Sequence, residues 1–91
     1  MYKIEFTPTF QKDISKLDKS IVKKIIEKIK FLAQNPNTIR FRVEYLPEDL
    51  EKLFKYRIGN WRIYFWIDDK KEQLTLYGVE HRKENYKRFK K

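Results

Sequence analysis

The chain has no cysteine, one histidine, one methionine, two glycines and three prolines among its 91 residues. Without cysteine there are no disulfides and no thiolate chemistry. A lone histidine, His81, leaves no ordinary ligand set for a dedicated zinc site, so no metal and no cofactor are expected. Acidic side chains are the minority, 13 against 22 lysines and arginines, for a net charge of +9. Long apolar runs are missing too. None approaches membrane-spanning length, and the first residues lack the apolar stretch of a signal peptide. The expectation is a cytoplasmic protein with no membrane partner.

What is present argues for a folded globule. Hydrophobic residues make up 41% and aromatics 16%, too much for a disordered basic tail and enough for one modest core. Residues 1–91 are therefore read as a single domain. The positive charge is uneven: residues 1–51 hold 10 basic and 8 acidic residues (+2), and residues 52–91 hold 12 and 5 (+7). A lysine-rich solubility surface does not predict that asymmetry. A polyanionic partner, or an acidic protein partner, does.

The organising stretch is Leu53–Asp68, LFKYRIGNWRIYFWID. Period-2 alternation of aromatic and β-branched residues on either side of Gly59-Asn60 predicts an antiparallel hairpin. Phe54, Tyr56 and Ile58 share one face with Trp61, Ile63, Phe65 and Ile67. Leu53, Lys55 and Arg57 fall on the other parity, as do Arg62, Tyr64, Trp66 and Asp68. The cationic parity is either a phosphate-binding surface or a solvated sheet face. Tyr64 and Trp66 on it either meet a ligand or pack under the C-terminal segment.

Ahead of the hairpin, residues 2–6 read as a strand. Thr7 and Pro8 supply a cap and a first helical position, and Phe10, Ile14 and Leu17 form the stripe of a short helix. A second helix over Ser20–Gln34 carries Ile21, Val22, Ile25, Ile26, Ile29, Leu32 and Ala33 on one side. Asp18 or Ser20 caps it, and Asn35-Pro36-Asn37 ends it. Residues 38–51 fit either an added strand, through Ile39, Phe41, Val43 and Tyr45, or an anchored loop. After a polar turn at 69–72, Gln73–Val79 reads as a strand with Leu74 and Leu76 on one side and Thr75, Tyr77 and Val79 on the other. Trp61, Phe65, Phe31 and Phe10 are expected in the core. The fold class is α+β: an N-terminal strand, a helical hairpin, a three-stranded antiparallel meander in one twisted sheet, and a short C-terminal helical segment.

The helix pair ending in Asn35-Pro36, then Lys55-x-Arg57, Gly59-x-Trp61-Arg62, Tyr64, His81-Arg82 and Tyr86, resembles the RelE/ParE superfamily of small toxins, and more the RelE branch. That resemblance covers essentially the whole chain. It implies a ribosome-dependent mRNA endonuclease that inhibits translation. By the same resemblance, Lys55 and Arg57 look like the basic pair at the scissile region, Arg62 and Arg82 fall on the two essential arginines, and Tyr86 falls on the stacking tyrosine. It also implies an acidic, RelB-like antitoxin, the ribosome and mRNA as partners, and operator DNA for the toxin–antitoxin pair. ParE-type members of the same fold poison DNA gyrase instead, and a non-catalytic nucleic-acid-binding or repressor role is the third reading.

The chemistry of the residues agrees. RNA cuts itself when its 2′-hydroxyl is deprotonated and its phosphate held in line; the step calls for cationic donors, a proton acceptor and a proton donor. Arg57, Arg62 and Arg82 supply donors. Arginine barely deprotonates, which leaves His81 or Lys55 for proton transfer, His81 being the better match to neutral pH. Each residue also has a structural alternative. Arg62 fits a cross-strand pair with Asp68 or Glu72, Tyr86 fits an anchor for the tail, and Lys55, Arg57, His81 and Arg82 fit ordinary surface positions.

Overall fold

Thr7 ends the first strand and starts the first helix with one side chain. Its backbone is extended, and its hydroxyl accepts from the Phe10 N–H at the helix start with Pro8 beside it. The same hydroxyl donates to Leu76 O at 2.8 Å and lies 3.1 Å from Tyr77 O, tying the helix start to a distant strand. In the computed structural model, which describes residues 1–38, 41–43, 46–84 and 86–89, the order is β1 (Lys3–Phe6), α1 (Pro8–Ile14), α2 (Lys19–Gln34), β2 (Phe41–Arg42), β3 (Phe54–Ile58), β4 (Trp61–Asp68) and β5 (Gln73–His81). Short 3-10 turns occupy Glu48–Leu50, Arg82–Glu84 and Lys87–Phe89. No helix among the described residues is long and apolar enough to cross a membrane.

The sheet has the order β1-β5-β4-β3-β2. The expected meander of β3, β4 and β5 is antiparallel. β1 joins it in parallel beside β5, from Lys3 opposite Gln73 to Phe6 opposite Leu76, so the sheet is mixed. Parallel neighbours need a long crossover, and the chain from α1 to β4 provides it. β2 adds a short fifth strand, with Phe41 opposite Lys55. That settles the strand alternative for Phe41; Ile39 and Tyr45 lie outside the described residues.

α2 carries the helical half of the core. Its apolar stripe was legible, and burial supplies what isoleucine's modest helix propensity does not. Ile25, Ile29, Leu32 and Ala33 meet Phe10 of α1 and Ile63, Phe65, Leu74, Leu76 and Val79 of the sheet. Asp18 caps α2 by position, with extended backbone and no side-chain cap bond. Phe31, expected in the core, is 42% exposed. It stands off the stripe of Ile25, Ile29 and Leu32 and lies instead under Lys28, whose Nζ is 4.9 Å from its ring.

A second departure concerns parity. Tyr64 is opposite Gly78 and Phe65 opposite Leu76, so Tyr77 is an extra residue in β5. Such a bulge flips the alternation beyond it. Val79 therefore rejoins Leu74 and Leu76 in the core rather than sharing the side of Thr75 and Tyr77. Glu80 and His81 are exchanged between faces by the same slip. Gly59 turns the central hairpin at φ 58, a conformation that glycine adopts without strain.

Candidate active site on the outer sheet face

Cross-strand partners share a face. Arg57 lies opposite Arg62, and Lys55 opposite Tyr64; Arg62 lies opposite Glu80. These side chains stand on the sheet face that the helices do not cover. The segment after β5 folds back over it: Phe89 meets Tyr64 edge-on at 4.9 Å between ring centroids, and Tyr77 at 6.3 Å. Tyr64 is fully buried, as is Leu53 on the same parity. Packing under the C-terminal segment thus holds for Tyr64; Trp66 is half-buried and packs elsewhere, donating its indole N–H to Glu51 O and meeting Tyr77 of β5 edge-on.

Beside this cover lies a cleft of about 490 Å³ lined by Phe41, Lys55, Tyr56, Arg57, Arg62 and Tyr86. Four of the six anticipated site residues are brought together here: Lys55, Arg57, Arg62 and Tyr86. Lys55 Nζ donates to the Tyr86 hydroxyl at 2.5 Å and lies 4.8 Å from its ring centroid. The Arg62 guanidinium carbon stands 4.3 Å from the same ring. Arg57 folds back on the turn, its Nε donating to Gly59 O at 3.1 Å. A tyrosine ring over two cations satisfies both the stacking preference of guanidinium and the quadrupole of the ring.

His81 and Arg82 are not in that cleft. His81 is opposite Trp61, on the helix-covered side, and meets its indole edge-on at 4.8 Å. It lines a separate cleft with Asp13, Lys16, Leu17 and Glu84 among others, and its Nδ1 accepts from the Lys83 N–H. Arg82 is exposed just beyond β5, with its backbone N–H donating to Asn60 O at 2.8 Å. It stands at the hairpin tip, at the rim of the cationic face rather than in it.

The structure adds a residue that composition did not mark. Glu80 is 4% exposed. Its Oε1 accepts from the Tyr64 hydroxyl at 2.8 Å and from the Tyr86 backbone N–H at 3.0 Å, and lies 3.9 Å from Arg62 Nη1. Its Oε2 lies 3.5 Å from Arg88 Nε. Arg62 thus pairs with Glu80 rather than with Asp68 or Glu72. Burial, reinforced by the Glu80 carboxylate that accepts its proton, pushes the Tyr64 phenol well above the ordinary tyrosine range. Arg88 continues the chain of contacts to Asp13 Oδ2 at 2.9 Å and to Val79 O at 2.9 Å, while Asp13 Oδ2 also accepts the Val79 N–H. These two side chains satisfy the stretch of β5 that β1 does not reach.

The model of the ParE toxin of type II toxin–antitoxin systems matches residues 4–86. The chain belongs to the RelE/ParE superfamily of toxins. Toxin RelG of Mycobacterium tuberculosis is 30% identical over 88 residues, covering 96% of this chain and 98% of that protein. Among solved structures, the RelBE2 toxin–antitoxin complex of M. tuberculosis contains a chain that superposes with a TM-score of 0.74 at 26% identity, over 88% of this toxin and 90% of that chain. The RelB–RelE complex of Methanococcus jannaschii gives a TM-score of 0.64 at 25% identity, over 94% and 99%. The isolated Escherichia coli RelE toxin, at 17% identity, shares the fold with a TM-score of 0.71 over 97% and 98%.

Proposed function

We propose that this toxin is an endoribonuclease that cuts mRNA in the ribosomal A site and so stops translation. The observation that carries the reading is the meeting of Lys55, Arg57 and Arg62 with the Tyr86 ring in one cleft. In the step, the RNA 2′-oxygen attacks the adjacent phosphorus and the bond to the 5′-oxygen breaks. The products are a 2′,3′-cyclic phosphate and a 5′-hydroxyl. Arg57 and Arg62 stabilise the charge that develops on the phosphorane oxygens. The hydrogen-bonded Lys55 and Tyr86 lie in the cleft, and the proton transfers fall to them: one takes the proton of the 2′-hydroxyl and the other gives a proton to the leaving 5′-oxygen; His81, on the other face, takes no direct part. Tyr86 and the 63% exposed Phe41 give two rings at the cleft for bases to stack on.

Among the described residues the cleft is lined by no histidine or carboxylate, so orienting the mRNA for attack is assigned to the ribosome. Primer extension on a defined mRNA tests the reading. Cuts with a 5′-hydroxyl product are expected on ribosomes with an empty A site, absent from free RNA and lost with Arg62→Ala. A 5′-phosphate product would overturn the mechanism, and cuts on free RNA would discard the ribosome requirement. Phe41→Ala is expected to weaken cleavage on the order of ten-fold through lost stacking.

We also infer an acidic antitoxin as the silencing partner. Relatives at 25–26% identity were solved as RelB–RelE or RelBE2 complexes, and an acidic segment would neutralise Lys55, Arg57 and Arg62. An antitoxin that carries a DNA-binding segment would let the pair bind its operator. A second reading, DNA gyrase inhibition, draws on the ParE description of the matching family. Loss of gyrase supercoiling in the presence of the toxin, with mRNA left intact, would favour it.

A further inference from the structure

We propose that Glu80 is a positioning residue of the cleft. Its buried carboxylate sets the Tyr86 ring over Lys55 and Arg62, with Arg88 as the strut that holds the following segment. The consequence for catalysis rests on the ribonuclease reading above; the geometry does not.

Tyr86 stands in the left-handed region at φ 62, a conformation a bulky residue keeps only when its surroundings impose it. Among the described residues, two bonds hold the backbone there. The Tyr86 N–H donates to Glu80 Oε1 at 3.0 Å, and its carbonyl accepts from the Phe89 N–H at 3.0 Å. Beyond it, Arg88 is fixed by Glu80, Asp13 and Val79 O. From that backbone the ring lies against Lys55 and Arg62.

The choice of a carboxylate follows from its neighbours. The Tyr64 hydroxyl and the Tyr86 N–H donate to it and the Arg62 and Arg88 guanidiniums pair with it as ions, and an ionised carboxylate is the side chain that only accepts and carries the opposite charge. Glutamine has the same shape but turns one oxygen into a donor facing other donors. It also takes the anionic partner from Arg62 and leaves Arg88 with Asp13. No apolar core contact is lost, so Glu80→Gln separates positioning from packing.

The test combines amide hydrogen exchange with a double-mutant cycle. In the wild-type protein the Tyr86 N–H is expected to be protected, and free exchange there would overturn the proposal without any variant. In Glu80→Gln, with a cooperative melt retained, Tyr86 exchange is expected to quicken by about ten-fold or more. On programmed ribosomes kcat is expected to fall on the order of 100-fold, with KM nearly unchanged. In a Tyr86→Ala background the same substitution is expected to change kcat by less than about two-fold. An equal loss in both backgrounds would show that Glu80 acts independently of Tyr86 and would overturn the proposal. If the wild-type toxin cuts no mRNA, the ribonuclease reading fails, and Tyr86 exchange in Glu80→Gln then decides the positioning role alone. Unchanged exchange overturns it.

Discussion

The two faces of the sheet are both covered, but by different physics. On the helix side, Phe10, Ile25, Ile29, Ile63, Phe65 and Leu76 are all 0–1% exposed, and the cluster around them is entirely apolar. Its attraction is non-directional and scales with area. On the outer side, Tyr64 and Glu80 are buried beneath a segment held by Arg88, and hydrogen bonds and ion pairs converge on the Glu80 carboxylate among the ring contacts. The first face tolerates changes of shape at a cost in stability. The second tolerates changes of volume poorly and changes of hydrogen-bonding character worse, because a buried polar atom left unpaired loses its solvation outright. The cleft is built where that directional order fixes side-chain positions.

Truncation on the helix side should separate stability from activity most widely. Ile29→Ala is expected to cost about 2–5 kcal/mol in urea unfolding, with cleavage per folded molecule unchanged. The converse is Arg62→Ala, expected to lower ribosomal cleavage by about 10²–10³-fold, or roughly 2.7–4 kcal/mol. Its effect on stability should stay within about 1 kcal/mol, since Glu80 retains Tyr64, Arg88 and the Tyr86 N–H. A comparable loss of stability in both variants would erase the distinction between the faces.

Much of this was legible in the sequence, and the reasons it was not elsewhere are specific. The stripe of α2 and the alternation across Gly59-Asn60 are periodic, so they announce the helix and the hairpin. Tyr77 as a bulge breaks a period without changing composition, so the side of Val79, and with it the separation of His81 from the cleft, could not be read. The contacts of Asp13 join residues far apart in the chain, and those of Glu80 and Arg88 span an irregular segment, so neither leaves a periodic pattern. One sign was present. Gly78 sits inside a strand, where glycine marks a bulge or the close approach of another group, and both occur. The cations Lys55, Arg57 and Arg62 were found because alternation puts them on one parity, and Phe41 was missed as a cleft residue because its strand has only two residues.

Gly78 offers the next sharpening of the comparison. A Cβ there would stand 2.1 Å from Arg88 Nη1 and 2.7 Å from Asp13 Oδ2. Arg88 could yield only by giving up its contacts with Asp13, Glu80 and Val79 O. Gly78→Ala is therefore expected to cost about 1–3 kcal/mol, as overpacking does, and to open the C-terminal cover to limited proteolysis while α2 stays protected from hydrogen exchange. Uniform loss of protection across both faces would instead make them one cooperative unit.

The smallest expected effect is the most diagnostic of the outer face. Burial and the Glu80 carboxylate hold the Tyr64 phenol protonated in the folded state, its pKa raised above the ordinary value of about 10. The unfolded chain releases that proton near pH 10 and the folded chain resists, so this contribution to stability is fully present below pH 10 and is lost as pH rises beyond it. Tyr64→Phe keeps the ring that meets Phe89 and removes only the donor to Glu80. At neutral pH it is expected to cost about 1 kcal/mol, since the Tyr86 N–H and Arg88 still serve the carboxylate. Between pH 9 and 11 in the assay, stability of the wild type should fall more steeply than that of the variant, while lysine titration contributes equally to both. Parallel curves would mean that the phenol is not held by the carboxylate, and that the outer face is kept in place by its rings alone.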